Sequence, residues 1–298
     1  MAWDPVTPGL RAQLRGLRIA SRRSSALRGG GQHRSRDKGV GLEFSQYRSY
    51  EPGDEPRRID WKLYARSDRF FVREAERDSP IAVWIVVDAS ASMGQADESR
   101  PDWSRLDAAR ALAACVAELA LRQGDRAGLV ALREDALAFV PAAGGRRQRE
   151  RLLFELERLR ARGGVVDETR LRPLWERIAP DDLVIVLGDF LDPATATLAT
   201  RLAAARREVV ALQLLTVAER DFPFGDGRRF IDPETGEALP GDARALRGQF
   251  LARFGQAQRA LHARLGEAGI RHAVHVLDEP LPQPLRVLFG AAPGSDAA

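Results

Sequence analysis

The strongest hydropathy signal in the chain is an apolar run of seven, Ile81 to Val87, that ends in polar Asp88, Ser90 and Ser92. A run of that kind predicts a strand covered on both faces, as in a parallel sheet flanked by helices. Beyond it the pattern alternates. Leu106, Ala109, Leu112, Val116 and Leu119 fall at helical spacing and predict a helix over 104–123. Residues 127–132 read as a strand, with Arg133-Glu134-Asp135 turning into a second strand over 136–140. Helices are expected at 146–160, 169–178 and 193–205, strands at 183–187 and 209–217, a long helix at 242–267 and a last strand at 273–277. Upstream, residues 8–28 show an Arg-rich helical pattern (Leu10, Leu14, Leu17, Leu27) stopped by Gly29-Gly30-Gly31. Residues 32–68 carry little periodicity, and 69–74 read as a short strand.

This order predicts an α/β fold, a doubly wound and mostly parallel sheet with one antiparallel edge strand. The expected division is an N-terminal module over 1–78, with a helix and a loop-rich segment, and a main domain over 79–290. Residues 219–241 are long for a connection and carry turn signals at Gly225 and Pro233, which predicts an inserted hairpin. The tail 291–298 is expected to be disordered. In such sheets ligands gather at the carboxyl ends of the strands, where the strand order reverses. Asp88 and Asp189 each follow a buried strand there.

Composition narrows the classes. The chain has 298 residues, 44% hydrophobic and 30% charged, which suits a globular protein with a real core. No apolar run is long enough to span a bilayer and no secretory pattern opens the chain, so the expected location is the cytoplasm. The single cysteine, Cys115, lies among alanines and leucines and reads as core packing. Residues 1–80 hold 17 Lys and Arg against 11 Asp and Glu, although the whole chain carries only +4. The bias of Arg over Lys is a compositional habit and weak evidence for nucleic-acid binding. A basic N-terminal module could still meet an acidic partner.

Asp88, Ser90 and Ser92 present one carboxylate and two hydroxyls, the oxygen donors that Mg²⁺ and other hard cations take. The plainer reading makes Asp88 a turn residue and the serines helix caps. The pattern D-x-S-x-S after a buried strand resembles the metal-ion-dependent adhesion site of von Willebrand factor A domains. That resemblance implies Asp189 as a further ligand and a hydroxyl from an intervening loop, for which Thr169 is the candidate. It also implies Mg²⁺, or Mn²⁺ or Ca²⁺, with one position open to water or to a partner's carboxylate. Catalytic readings are poorer. A D-x-D phosphatase would need an acid at Ser90, neither serine stands in G-x-S-x-G, and no P-loop is present. His33, His262, His272 and His275 have no cysteine cluster beside them and read as packed or solvated.

The second informative stretch is Glu43 to Lys62. Pro52-Gly53 marks a turn and Asp60 a cap for a short helix with Trp61 and Tyr64. Tyr47, Tyr50 and Trp61 are candidate anchors. Arg48, Arg57, Arg58 and Arg66 stand among Glu43, Asp54 and Asp60, as internal ion pairs or as a docking face. The run E-F-x-x-x-R-x-Y-x-P-G-D-x-x-R-x-I-D-W over Glu43–Trp61 resembles the DUF58 family signature. Phe71-Val72-Arg73-Glu74, Asp88-Ala89-Ser90-Ala91-Ser92-Met93, Gly188-Asp189-Phe190-Leu191-Asp192 and Asp221-Phe222-Pro223-Phe224 are similar too. The resemblance implies a von Willebrand factor A-like domain behind a family-specific segment, without catalytic activity. It implies an adaptor for MoxR-type AAA+ ATPases in the maturation or activation of protein complexes, meeting a client that donates a carboxylate. Many members carry N-terminal membrane helices; this chain resembles a soluble member. Two departures stand out: Gly188 replaces the usual Ser or Thr, and Gly163-Gly164 is followed by Val165, so Thr169 comes late and Asp167 or Glu168 are substitutes. The competing functions are a metal-dependent hydrolase at the same strand ends and nucleic-acid binding through the N-terminal arginines.

Overall fold

The computed structural model describes residues 3–21, 44–51, 54, 56, 59–75, 80–135, 137–225, 228–231, 238–241 and 243–290. Two compact units are formed, one from Met1–Gly29 with Ile81–Ala298 and the other from Gly30–Pro80.

The larger unit is built on a six-stranded sheet. Its strands are β3 (Ala82–Asp88), β4 (Arg126–Leu132), β5 (Leu137–Ala143), β6 (Leu183–Gly188), β7 (Glu208–Leu215) and β10 (Arg271–Val276), in the spatial order β10-β7-β6-β3-β4-β5. All neighbours are parallel except β5, which returns antiparallel to β4 at the edge. This is the doubly wound α/β architecture expected from the alternating pattern. The hairpin follows from the short Arg133–Asp135 connection, too brief for a crossover.

Alternate residues of each strand face opposite layers. Val83, Ile85 and Val87 enter one core with helix α3 (Arg105–Arg122), helix α4 (Arg146–Arg158) and helix α9 (Pro282–Phe289). Ala82, Trp84 and Val86 enter the other with helices α5 (Arg172–Arg177), α6 (Pro193–Ala204) and α8 (Ala243–Glu267). Helix α3 is rich in alanine on its buried side, which brings its backbone close to the sheet. Cys115 sits in that layer, and burial pushes its thiol up to about 12. Small residues also serve the sheet: a Cβ on Gly128 would meet the Trp84 ring at 2.7 Å.

The N-terminal expectation is corrected. Helix α1 spans only Pro8–Gln13 and ends in a turn at Gly16, whose φ of +87° disfavours other residues. Leu27 and the glycine run lie outside the described residues. Val6, Leu14, Leu17 and Ile19 are buried in the α3 core, so this segment belongs to the larger unit and not with residues 30–78. Polar clamps fix it there. Gln123 exchanges two hydrogen bonds with the Ile19 backbone (2.9 and 3.2 Å), and Arg149 pairs with Asp4 at 2.7 Å.

Other differences are local. The helix expected at 169–178 divides into a 3-10 turn (Glu168–Leu171) and α5, where Pro173 starts a new helix. A short helix α7 (Val217–Asp221) follows β7, and α9 ends the described chain. Strands β8 (Arg228–Ile231) and β9 (Ala238–Gly241) pair antiparallel, which gives the hairpin expected within 219–241. The tail 291–298 lies outside the described residues.

In the smaller unit, strands β1 (Phe44–Ser49) and β2 (Phe71–Ala75) pair antiparallel. Helix α2 (Trp61–Ser67) is capped by Asp60, which accepts hydrogen bonds from the Lys62 and Leu63 amides at 3.0 Å. Tyr64 stacks on Phe70 with centroids 4.4 Å apart, and Trp61 meets Phe70 edge-on. Trp61 remains 58% exposed. Glu43, Arg57, Arg58 and the Tyr47 and Arg48 side chains lie outside the description.

Candidate functional site at the carboxyl ends of the strands

Strands β3 and β6 are neighbours at the centre of the sheet, and from β3 the chain winds first toward β4 and later toward β6. The gap between their carboxyl ends is therefore the switch point at which ligands gather in such folds. Asp88 closes β3 and Asp189 follows β6, both with 2% exposure.

The loop after β3 is ordered from within. Asp88 Oδ1 accepts the Ser90 amide (2.9 Å), and the Ser90 and Ser92 hydroxyl oxygens lie 3.1 Å apart. Ser90 is the N-cap of a 3-10 turn (Ala91–Gly94) but makes no side-chain capping bond, so helix capping does not account for its hydroxyl. The loop is stitched to its neighbours through Ala89 N to Leu132 O (3.0 Å) and Ala91 N to Gly163 O (2.7 Å).

Gly188 has a packing reason. A Cβ there would lie 3.1 Å from Asp88 Cβ and 3.4 Å from its Oδ2, so the missing side chain makes room for the Asp88 carboxylate. The buried Thr195 of α6 brings its hydroxyl to 3.4 Å from Asp88 Oδ2. After Asp189, Phe190 adopts a φ of +56°, rare for an aromatic residue, and Asp189 Oδ1 accepts the Leu191 amide at 3.0 Å. This tight turn leaves Leu191 46% exposed at the rim.

Thr169 does not join them. The Gly163-Gly164 loop reaches the site through the Gly163 carbonyl. Val165 and Val166 follow, and the Thr169 hydroxyl and amide both bond Asp167 Oδ1 (2.5 and 2.8 Å) in an exposed turn. Those bonds hold the Asp167 carboxyl below the usual range. The hydrogen bonds of Thr169 therefore go to Asp167 rather than to Asp88 or Asp189, and the extra residues between the glycines and the threonine set its hydroxyl in a separate turn. The Glu168 side chain lies outside the description.

The residue that sequence reasoning missed is Arg105. It is the first residue of α3, behind the Ser104–Asp107 capping box, and is 3% exposed. Its Nη1 donates to Asp189 Oδ2 at 2.7 Å and to the Ser92 carbonyl at 3.1 Å. Its Nη2 donates to Glu219. Glu219 is held in turn by its own capping box, accepting the Thr216 amide (2.8 Å) and hydroxyl (3.0 Å). Asp97 accepts the Val217 and Ala218 amides, both at 3.1 Å. Loops after β3, β6 and β7 therefore converge on one guanidinium. A cation at a helix N-terminus opposes the helix dipole, which prefers an anion there. The surrounding acceptors, not the helix, explain the position.

A hard cation finds the right kinds of donor here, but the arrangement does not fit one. Asp189 spends one oxygen on Arg105 and the other on the Leu191 amide, and Thr169 is elsewhere. Among the described residues no group of three or more His, Cys, Asp or Glu is placed to hold a metal.

The fold and these loops define a doubly wound α/β protein with a charged, buried cluster at its switch point. The chain belongs to the DUF58 family, "Protein of unknown function DUF58", whose model matches residues 46–260. An "Uncharacterized protein Rv1480" of Mycobacterium tuberculosis is 32% identical over 241 residues, 78% of this chain and 74% of that protein. "Uncharacterized protein Mb1516" of Mycobacterium bovis matches to the same extent, 32% over 241 residues. Similar solved structures include the conserved hypothetical protein BatB from Bacteroides thetaiotaomicron, at 17% identity, 63% of this chain, 98% of that chain and a TM-score of 0.39. The SpRpn10 VWA domain is similar at 11% identity, 72% of this chain, 99% of that chain and a TM-score of 0.42. Among the described residues no helix is long and apolar enough to cross a membrane.

Proposed function

We propose that this chain is a non-enzymatic protein-interaction module of the von Willebrand factor A-like kind. It serves as an adaptor for a MoxR-type AAA+ ATPase in the maturation or activation of protein complexes. The docking face is the rim of the strand-end crevice. The observation that carries the reading is the convergence of three loops on buried Arg105, with exposed Leu191 projecting from one of them. A crevice whose side chains are fixed by one another offers a partner a preorganised surface.

Two details favour binding over hydrolysis. Asp189 and Glu219 are committed to Arg105 and to backbone amides, and Asp88 accepts the Ser90 amide. Against the nucleic-acid alternative, Arg11 of the basic N-terminal segment is paired with Asp4 (2.8 Å) and Glu118 (3.2 Å).

The test is co-purification with a purified MoxR-type ATPase, in Mg²⁺ and in EDTA. Retention by the wild type and loss by Leu191→Glu, with phosphoester turnover absent from both, is the expected result. Equal retention by the variant sinks the docking face. Retention is expected to be equal in Mg²⁺ and in EDTA, because Asp189 is committed to Arg105; release by EDTA, repeated by Asp88→Ala in Mg²⁺, would restore the metal-dependent reading.

A further inference from the structure

We propose that Arg105 is the resident cation of the strand-end site, so that the crevice takes up no divalent ion while that guanidinium is in place. The family resemblance leads to a metal at Asp88, Ser90, Ser92 and Asp189. The geometry points to a side chain that already does the metal's electrostatic work. Arg105 joins the loop after β3 through the Ser92 carbonyl, the loop after β6 through Asp189 and the loop after β7 through Glu219.

Three features support the assignment. Arg105 and Asp189 have side chains only 4% and 3% exposed, so the pair is shielded from water and salt. A guanidinium keeps its charge at any physiological pH and offers several donors in a planar fork, which suits acceptors arriving from different directions. The acceptors are also prepared: Glu219 is fixed by Thr216 and Asp189 by the Leu191 amide, so neither carboxylate has to reorganise around the cation.

The consequence concerns the chemistry of the partner. A metal with an open position would invite a carboxylate. Arg105 has both terminal nitrogens engaged with acceptors from this chain, and its remaining donor, Nε, is buried without a hydrogen-bond partner and out of reach of a group arriving from solvent. A partner would then be recognised through the exposed apolar side chain of Leu191 at the rim, and an acidic side chain on it is not required.

The experiment uses the isolated chain and needs no partner, so its outcome is separate from that of the adaptor reading. Mn²⁺ uptake is followed by electron paramagnetic resonance and thermal stability is measured in EDTA, MgCl₂ and MnCl₂. The wild type is expected to leave the free Mn²⁺ signal unchanged and to melt at the same temperature in all three. R105Q is expected to melt lower in EDTA, to take up Mn²⁺ and to recover part of the lost stability; adding D88N removes that uptake. Mn²⁺ uptake by the wild type that D88N abolishes overturns the proposal. So does a folded R105Q that takes up no ion, because the carboxylates would then form no cation site. If R105Q is unfolded in EDTA, it is refolded with Mn²⁺ or with NaCl of equal ionic strength. Recovery that needs Mn²⁺ supports the proposal, and no recovery overturns it.

Discussion

The two ends of the central sheet each carry an ion cluster, and the clusters are built to different plans. At the amino ends, Glu208 opens β7 and accepts from Ser21 (2.6 Å) and Arg271 (3.1 Å), while Arg271 also bonds the Leu288 carbonyl. That cluster ties the N-terminal segment, the first residue of an edge strand and the last helix to the sheet. It joins distant parts of one scaffold, and a structural role explains it. At the carboxyl ends, Arg105, Asp189 and Glu219 join loop to loop. Local preference is opposed there, by a cation at a helix N-terminus and by an aromatic residue at positive φ. Positive φ occurs at both ends, at Phe190 beside Asp189 and at Asp181 and Arg206 just before β6 and β7, so the buried cation at a helix N-terminus is what sets the carboxyl end apart.

The largest test of this contrast is Arg105→Ala against Glu208→Ala. Removing one member of a buried ion pair strands the other, at about 3–5 kcal/mol. The Arg105 variant is expected in that range by urea unfolding. The Glu208 variant leaves Arg271, whose side chain is 17% exposed, with the Leu288 carbonyl, and is expected to lose about 1.5–3 kcal/mol, the range for hydrogen bonds to charged groups. Equal losses would break the comparison.

A pH titration probes the sheet through a buried histidine. His275 on β10 is fully buried, and burial pushes its pKa down to about 4, partly countered by Asp278. Since the unfolded chain takes up this proton near pH 6.5, the native state is penalised as pH falls from about 6.5 toward 4, by up to about 3 kcal/mol. Above that window the residue contributes no pH dependence. His275→Leu should reduce the slope of stability against pH between those limits, leaving the share of His272, which burial also pushes down to about 4; an unchanged curve would place the acid sensitivity elsewhere.

Gly188→Ala sharpens the comparison at the site itself. The added Cβ meets Asp88, and overpacking of this kind costs about 1–3 kcal/mol. A variant as stable as the wild type would mean that the Asp88 loop yields easily. The smallest effect is expected at Cys115: native protein should not react with a thiol reagent until it unfolds, because the buried thiol stays protonated.

Much of this molecule was legible in the pattern of its residues. The β3 run, the hairpin at Arg133–Asp135, the Ala-rich helix behind it and the strand ends at Asp88 and Asp189 follow from periodicity and length alone. The N-terminal helix was overextended because Leu14 and Leu17 keep helical spacing even though Gly16 turns the chain between them. Helix α9 is not among the predicted elements; Pro282 opens it, in the first turn where proline is compatible with a helix. Arg105 was invisible for a different reason. In an arginine-rich chain one more arginine carries no signal, and its carboxylate acceptors stand 84 and 114 residues away. One clue was present: an arginine directly after a capping serine, where helices favour acids.

The position of Arg105 at the first turn of α3 has a comparative use. A side chain contributed by the polypeptide is inherited with it, whereas a dissolved ion has to be found again in each new compartment. Among relatives with the same strand-end acids, the residue aligned with Arg105 should sort chains by their sensitivity to chelators. A basic residue there would mark a self-contained site, and a small or neutral one a site that depends on its surroundings.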